Sequence, residues 1–247
     1  MKICLIPLKT EIRNPIQNMH ELERRLVECL EYHPDLICLP ELTLTGYLYS
    51  PDDLSKFAET VTGVTVTKVG EIARRNSVNI CFGIIEREGE DYFNTAVLID
   101  RNGELVSCYR KISEKPPFTP GQTLSSTIID SINFRLIICG DLFDERIYEI
   151  PNDSCGFQIV LMARSFDNKS PDIYRWENEE KAEYLKVVKQ TGITTGIVNA
   201  LDVNCDSHSF GGSLIVNADG ELLAESQHGS DHLLFWEICN NDLVNSN

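Results

Sequence analysis

What the sequence lacks narrows its possible roles first. No two of its nine cysteines, at positions 4, 29, 38, 81, 108, 139, 155, 205 and 239, stand in C-x-x-C spacing. Most lie inside apolar runs, so they read as reduced, buried thiols of a cytoplasmic protein and not as a disulfide framework. Positive charge is scarce: 22 Lys and Arg face 38 Asp and Glu, a formal charge of −16. No basic stripe of the kind that neutralises phosphates is present, which argues against nucleic acid and anionic membrane surfaces as partners. No apolar run approaches the ~20 residues that span a membrane. The opening segment MKICLIPLKT is too briefly apolar for a secretory signal and has no small-residue cleavage site. No linker or low-complexity tract interrupts the 247 residues, and the chain is read as a single domain, 1–247.

What is present alternates. Residues 2–8 read as a buried strand. A helix follows from Asn14-Pro15, with Ile16, Met19, Leu22, Leu26 and Leu30 at helical spacing and proline in its first turn. Residues 35–39 form a strand stopped by Pro40, and residues 42–59 read as loop. Val66, Val69, Ile72 and Ala73 mark a second helix. Strands follow at 78–87 and 92–100, and Asn102-Gly103 turns the chain back through 104–110. A Pro-rich loop covers 111–123, then strands cover 134–139 and 157–163. A charged amphipathic helix over 172–190 offers Trp176, Ala182, Leu185 and Val188 inward. A strand at 193–201, a hairpin around Asp219-Gly220 and a strand at 232–238 complete the pattern. The fold class is α/β with α+β character, a layered sandwich of mixed sheets flanked by helices.

The chemistry centres on FRLIICGDLFDE, residues 134–145. An apolar strand delivers Cys139 to its end, and Gly140 permits a sharp turn that exposes the thiol, as in a nucleophile elbow. Two other apolar runs end in complementary groups: DLICLPEL carries Glu41 and ELVSCYRK carries Lys111. In open α/β sheets the C-terminal ends of strands are where ligands bind. Converging there, the three would form an acyl-transfer apparatus: a base, a nucleophile, and a cation for the developing oxyanion. Each has a plainer reading taken alone, as core thiol, strand-end carboxylate and loop cation. His208, His228 and His232 include an H-x3-H pair. They flank a hairpin without a nearby Cys pair, so no metal site is expected.

LICLPELTLTGY, YRKISEKPPFTPG, LIICGDLFDE and FGGSLIVNADGELLAES occur in that order along nearly the whole chain. They resemble the glutamate, lysine, cysteine and late-hairpin blocks of the nitrilase, or carbon–nitrogen hydrolase, superfamily. The resemblance implies a four-layer α-β-β-α sandwich. It implies Glu41 as general base, Lys111 as oxyanion lysine and Cys139 as nucleophile. Glu114, just before Phe118-Thr119-Pro120-Gly121, is implied as a second glutamate that positions Lys111 and the substrate. Gly140 stands where the family often has a bulky residue, which implies a roomier pocket. Residues 162–166, Met-Ala-Arg-Ser-Phe, stand at a segment that usually touches substrate in the family, so Arg164 and Phe166 are candidate substrate contacts, with Tyr47 near Glu41. Arg164 is of the type that clamps a carboxylate.

The activity implied is hydrolysis of a non-peptide carbon–nitrogen bond in a small amide, with water as second substrate and no metal or organic cofactor. The segments LTGY-x3-Pro51-Asp52-Asp53-Leu54 and Cys-x-Asp-Leu also resemble the glutaminase domain of glutamine-dependent NAD synthetases. A small carboxylated amide is the first expectation, N-carbamoyl compounds the second, nitriles the third. A homodimer or higher oligomer is expected from the family. A weakly catalytic binding or scaffold protein and a redox-sensing thiol protein are the alternatives from other classes.

Overall fold

The computed structural model describes residues 1–148, 150, 155–166, 172–203 and 209–239. His208 and Cys205 lie outside the described residues. In chain order the strands are β1 (Lys2–Leu5), β2 (Lys9–Glu11), β3 (Leu36–Cys38), β4 (Asn79–Glu88), β5 (Asp91–Ile99), β6 (Leu105–Arg110) and β7 (Ser126–Ile129). They continue with β8 (Ile132–Ile138), β9 (Phe157–Met162), β10 (Thr195–Asn199), β11 (Leu201–Val203), β12 (Ser213–Val216), β13 (Leu222–Glu225) and β14 (Leu234–Glu237). The helices are α1 (Pro15–Leu30), α2 (Pro51–Phe57), α3 (Val64–Asn76), α4 (Glu145–Tyr148), α5 (Ile173–Arg175) and α6 (Lys181–Thr191).

Two six-stranded sheets carry the fold, in the orders β14-β1-β3-β4-β5-β6 and β13-β12-β10-β9-β8-β7. Their construction matches. Parallel strands β1, β3 and β4 form the middle of one, and β8, β9 and β10 the middle of the other; antiparallel strands flank both. Side chains alternate across each strand, so one set faces the opposing sheet and the next faces a helix. Ile3, Leu5, Leu36, Cys38, Ala96 and Leu98 join Phe134, Leu136, Ile138, Ile159 and Leu161 in one core between the sheets. Their neighbours Cys4, Ile37, Ile80 and Val97 pack instead against Met19, Leu22 and Leu26 of α1 and Val66, Val69 and Ile72 of α3. On the second sheet, Tyr184, Val187 and Val188 of α6 complete the core. The architecture is the expected sandwich of sheets flanked by helices, and no helix among the described residues is long and apolar enough to cross a membrane.

The expected helix at Asn14-Pro15 forms, with the Asn14 side chain accepting from Gln17 N–H. Ile16, expected inward, is exposed because it precedes the first turn that meets the sheet. The stretch read as loop contains α2, whose Ser50 hydroxyl accepts from Asp53 N–H and whose first residue is Pro51. Strand β7 was not anticipated. It joins β8 through Asp130-Ser131, both at positive φ (+47° and +70°), the twist-compatible two-residue turn without its usual glycine. In the C-terminal helical segment Trp176 is buried as expected, but Ala182 is exposed and Tyr184 and Val187 take the inward positions. A π-helical turn at Trp176–Glu180 inserts one residue and rotates the following face.

Strand β4 also shapes what lies beside it. Gly83 donates to Thr43 Oγ1 at 3.1 Å and accepts from Thr43 N–H at 2.9 Å. A Cβ at this position would stand 2.4 Å from Leu42 N and 3.0 Å from Glu41 Cα. Gly83→Ala is therefore expected to destabilise the fold by about 1–3 kcal/mol, measured by urea unfolding.

Candidate active site

The C-terminal ends of β3, β6, β8 and β9 open on one place. Glu41 follows β3 on a turn pinned to β4, with Leu39 N–H donating to Cys81 O at 2.8 Å and Thr43 Oγ1 to Pro40 O at 2.6 Å. Leu42 holds φ +46°. Lys111 follows β6, its N–H donating to Asn94 O at 2.9 Å. Cys139 ends β8 at φ +44° and opens a 3-10 turn, Cys139–Phe143. A non-glycine residue reaches that left-handed region only when its surroundings over-determine it. Here Asp141 does so. Its buried carboxylate accepts from Tyr109 Oη at 2.6 Å, Ser113 N–H at 2.8 Å and Ile138 N–H at 3.2 Å. The cysteine turn and the lysine loop are thereby tied to one carboxylate.

The functional side chains meet around Lys111. Its ammonium lies 3.0 Å from Glu41 Oε1 and 3.3 Å from Glu114 Oε2, and all three residues are buried. Burial opposes the ammonium's charge, but Glu41, Cys139 and Glu114 outweigh it and hold Lys111 above its ordinary range. The other oxygen, Glu41 Oε2, accepts from Ala163 N–H at 2.9 Å. Ala163 N–H, at the end of β9, also acts to lower the Cys139 thiol. Burial and the Glu41 charge push the Cys139 thiol up to about 12; Lys111, Ala163 N–H and Arg164 pull against them. Glu114, in its short loop, reaches the cluster and also accepts from Lys115 N–H at 3.2 Å.

The other candidates are placed as follows. The Tyr47 ring lies 5.8 Å from Lys111 Nζ; burial and Glu41 raise its hydroxyl above the usual range. A Cβ on Gly140 would stand 3.0 Å from Ser113 Oγ and 3.9 Å from Lys111 Cε, so this glycine borders the lysine directly. Arg164 is exposed, 3.8 Å from Glu180 Oε2, with its charge felt at Cys139. Phe166 is buried in an aromatic cluster, 4.4 Å from Phe210 and 5.7 Å from His228 between ring centroids. His228 stacks on Trp176 at 5.2 Å, and no group of three metal-binding side chains occurs among the described residues. Sequence reasoning missed Asn94, Ala163 and Tyr184. Asn94 is a buried amide whose Nδ2 donates to Glu41 Oε1 at 2.7 Å and to Glu114 Oε2 at 2.9 Å. Its signal was a polar residue inside the otherwise apolar strand 92–100. Ala163 acts through its backbone and carries no side-chain signal. Tyr184, whose hydroxyl feels Cys139, was hidden by the phase shift of the π-helical turn.

A thiol near 12 is protonated at neutral pH. The rate of Cys139 alkylation by iodoacetamide is expected to climb throughout pH 6–9 without a plateau, read by mass spectrometry of its peptide. Glu41→Gln removes a charge that raises the thiol and should speed alkylation at pH 8; Lys111→Met removes one that lowers it and should slow it.

A family model described as carbon-nitrogen hydrolase matches residues 11–244. An (R)-stereoselective amidase from a Pseudomonas species is 24% identical over 236 residues, covering 92% of this chain and 81% of the amidase. A nitrilase from Pyrococcus abyssi is 29% identical over 151 residues, covering 58% of this chain and 57% of the nitrilase. Among solved structures, the NitN amidase from Nesterenkonia sp. AN1 superposes with a TM-score of 0.82 at 21% identity, covering 100% of this chain and 96% of that one, a likeness of fold.

Proposed function

The chain belongs to the carbon–nitrogen hydrolase family, and on that premise we propose that it is a thiol amidohydrolase acting on a small amide, with Cys139 as nucleophile, Glu41 as general base, Lys111 as oxyanion stabiliser and Glu114 in support. The observation that carries this reading is the buried group Glu41–Lys111–Glu114, with Glu41 and Lys111 both near enough for their charges to act on the Cys139 thiol. A thiol pushed up to about 12 is a poor nucleophile at neutral pH unless its proton leaves as the bond forms. In the proposed mechanism Glu41 takes it. The sulfur adds to the amide carbon and the carbonyl oxygen becomes an oxyanion. Lys111 has three N–H bonds. Glu41 and Glu114 take two, which leaves the third for that oxygen. Collapse of the tetrahedral adduct breaks the carbon–nitrogen bond, and the amine departs with the proton held by Glu41. Water, deprotonated by Glu41, then attacks the thioester. The second adduct expels the sulfur, which recovers the proton, and the carboxylic product leaves.

The substrate class proposed first is an amide bearing a remote carboxylate. Arg164 supports it: the guanidinium is exposed, only loosely paired with Glu180, and close enough to influence Cys139. Relatives named as an amidase and a nitrilase support amides first and nitriles after.

The test is ammonia release from glutamine, ω-amides of dicarboxylic acids, carbamoyl amino acids, carbamoyl amines, aliphatic amides and nitriles. Turnover that vanishes in Cys139→Ala is expected. Folded protein that is silent across the panel would overturn the amidohydrolase reading. Arg164→Ala should raise KM for carboxylated amides about tenfold or more, as loss of a charge-assisted hydrogen bond implies, and leave the KM of uncharged amides unchanged. Equal effects on both would remove the carboxylate clamp.

A further inference from the structure

We propose that Asn94 is a positioning residue that holds the Glu41 and Glu114 carboxylates together around Lys111. The proposal rests on the amidohydrolase reading for its kinetic consequence, but its geometry is independent of substrate.

Asn94 sits on β5, buried, in the strand paired with β6, and Lys111 directly follows β6. Its single amide nitrogen donates to both carboxylates, at 2.7 Å to Glu41 Oε1 and 2.9 Å to Glu114 Oε2. These are the same two oxygens that Lys111 Nζ approaches, at 3.0 and 3.3 Å. Lysine and asparagine thus bridge one pair of oxygens from two sides. Two carboxylates this close repel. An ammonium alone supplies one positive charge for two negative ones. The amide adds two N–H bonds and no charge. Its orientation is dictated: turned over, Asn94 Oδ1 would face two acceptor oxygens. As placed, Oδ1 is buried with no hydrogen-bond partner, a cost that argues for the importance of the two bonds on the nitrogen side.

The arrangement also assigns the two oxygens of Glu41. Oε1 is held by Asn94 and Lys111, and Oε2 by Ala163 N–H. Asn94 therefore fixes how the Glu41 carboxylate is turned.

The decisive variant is Asn94→Asp, which keeps the shape and adds a third carboxyl. Buried beside two carboxylates, that carboxyl should bind its proton more tightly when folded than unfolded. Its contribution is then intact below ~4, the unfolded value, and is lost as pH rises. The melting temperature relative to wild type should fall by about 4 °C or more between pH 5 and pH 8. Adding Glu114→Gln restores two carboxylates and should abolish that fall; a general burial effect at position 94 would persist. If Asn94→Asp does not fold at neutral pH, recovery of folding in the double variant supports the clamp and failure to recover overturns it. In turnover, Asn94→Ala should lower kcat by about one to two orders of magnitude with KM little changed. Asn94→Asp should be most active at lower pH than wild type. An Asn94→Asp protein that melts in parallel with wild type, or that Glu114→Gln fails to rescue, overturns the proposal. Absence of wild-type turnover across the amide panel would defeat the amidohydrolase reading instead, and the melting curves would still decide the clamp.

Discussion

One buried ammonium organises the site. Lys111 faces Glu41 and Glu114 from the end of β6, and the three side chains are almost wholly removed from water. Burying ions costs on the order of several kcal/mol each after relaxation. Such a cluster persists only where every acceptor is satisfied. Glu41 shows how far this goes: one oxygen takes Lys111 and Asn94, the other a backbone N–H from β9. Strands of both sheets thus supply donors to one carboxylate. The sheets are held in register at this point by polar bonds as well as by the apolar core between them.

The cysteine turn depends on a second carboxylate with a different task. Asp141 gathers Tyr109, Ser113 and Ile138 and so joins the β6 loop to the end of β8. Burial raises Asp141, and its hydrogen bonds from Tyr109 and Ser113 resist that shift. Its strength as an acceptor offsets the strain of Cys139 at φ +44°. Where Glu41 and Glu114 sit at the ammonium, Asp141 sits at backbone N–H groups and a phenol, which suits it to hold geometry.

The parts of this arrangement that could be read in the sequence are those written in local pattern. Continuous short apolar runs located the central strands, and Asn14-Pro15 and Asn102-Gly103 located a helix start and a turn. Cys139, Glu41 and Lys111 were visible because each follows such a run directly. What escaped has a physical reason in each case. The β7–β8 hairpin turns through Asp130-Ser131, residues that adopt positive φ without advertising it. The π-helical turn shifts the inward face from Ala182 to Tyr184 by one inserted residue. Ala163 contributes only its N–H. Asn94 joins residues 53 and 20 positions away, and spacing rules that look a few residues ahead do not register it. Phe166 was a candidate because residues 162–166 stand at a segment that touches substrate in the family; its ring joins a cluster with Phe210 and His228 formed by distant segments.

The pairing of β14 with β1 bears on the order of events in folding. Leu234–Glu237 runs antiparallel to Lys2–Leu5 and completes the edge of the first sheet, although β12 and β13 just before it belong to the second. The first sheet therefore cannot be finished from its own consecutive strands. It must wait, with the edge of β1 uncovered, until the whole second sheet has passed and one more strand has crossed back. A contact between segments more than two hundred residues apart carries a high loop-closure cost. During synthesis the nascent first half is an open-edged intermediate, and strand β14 is the late step that closes it.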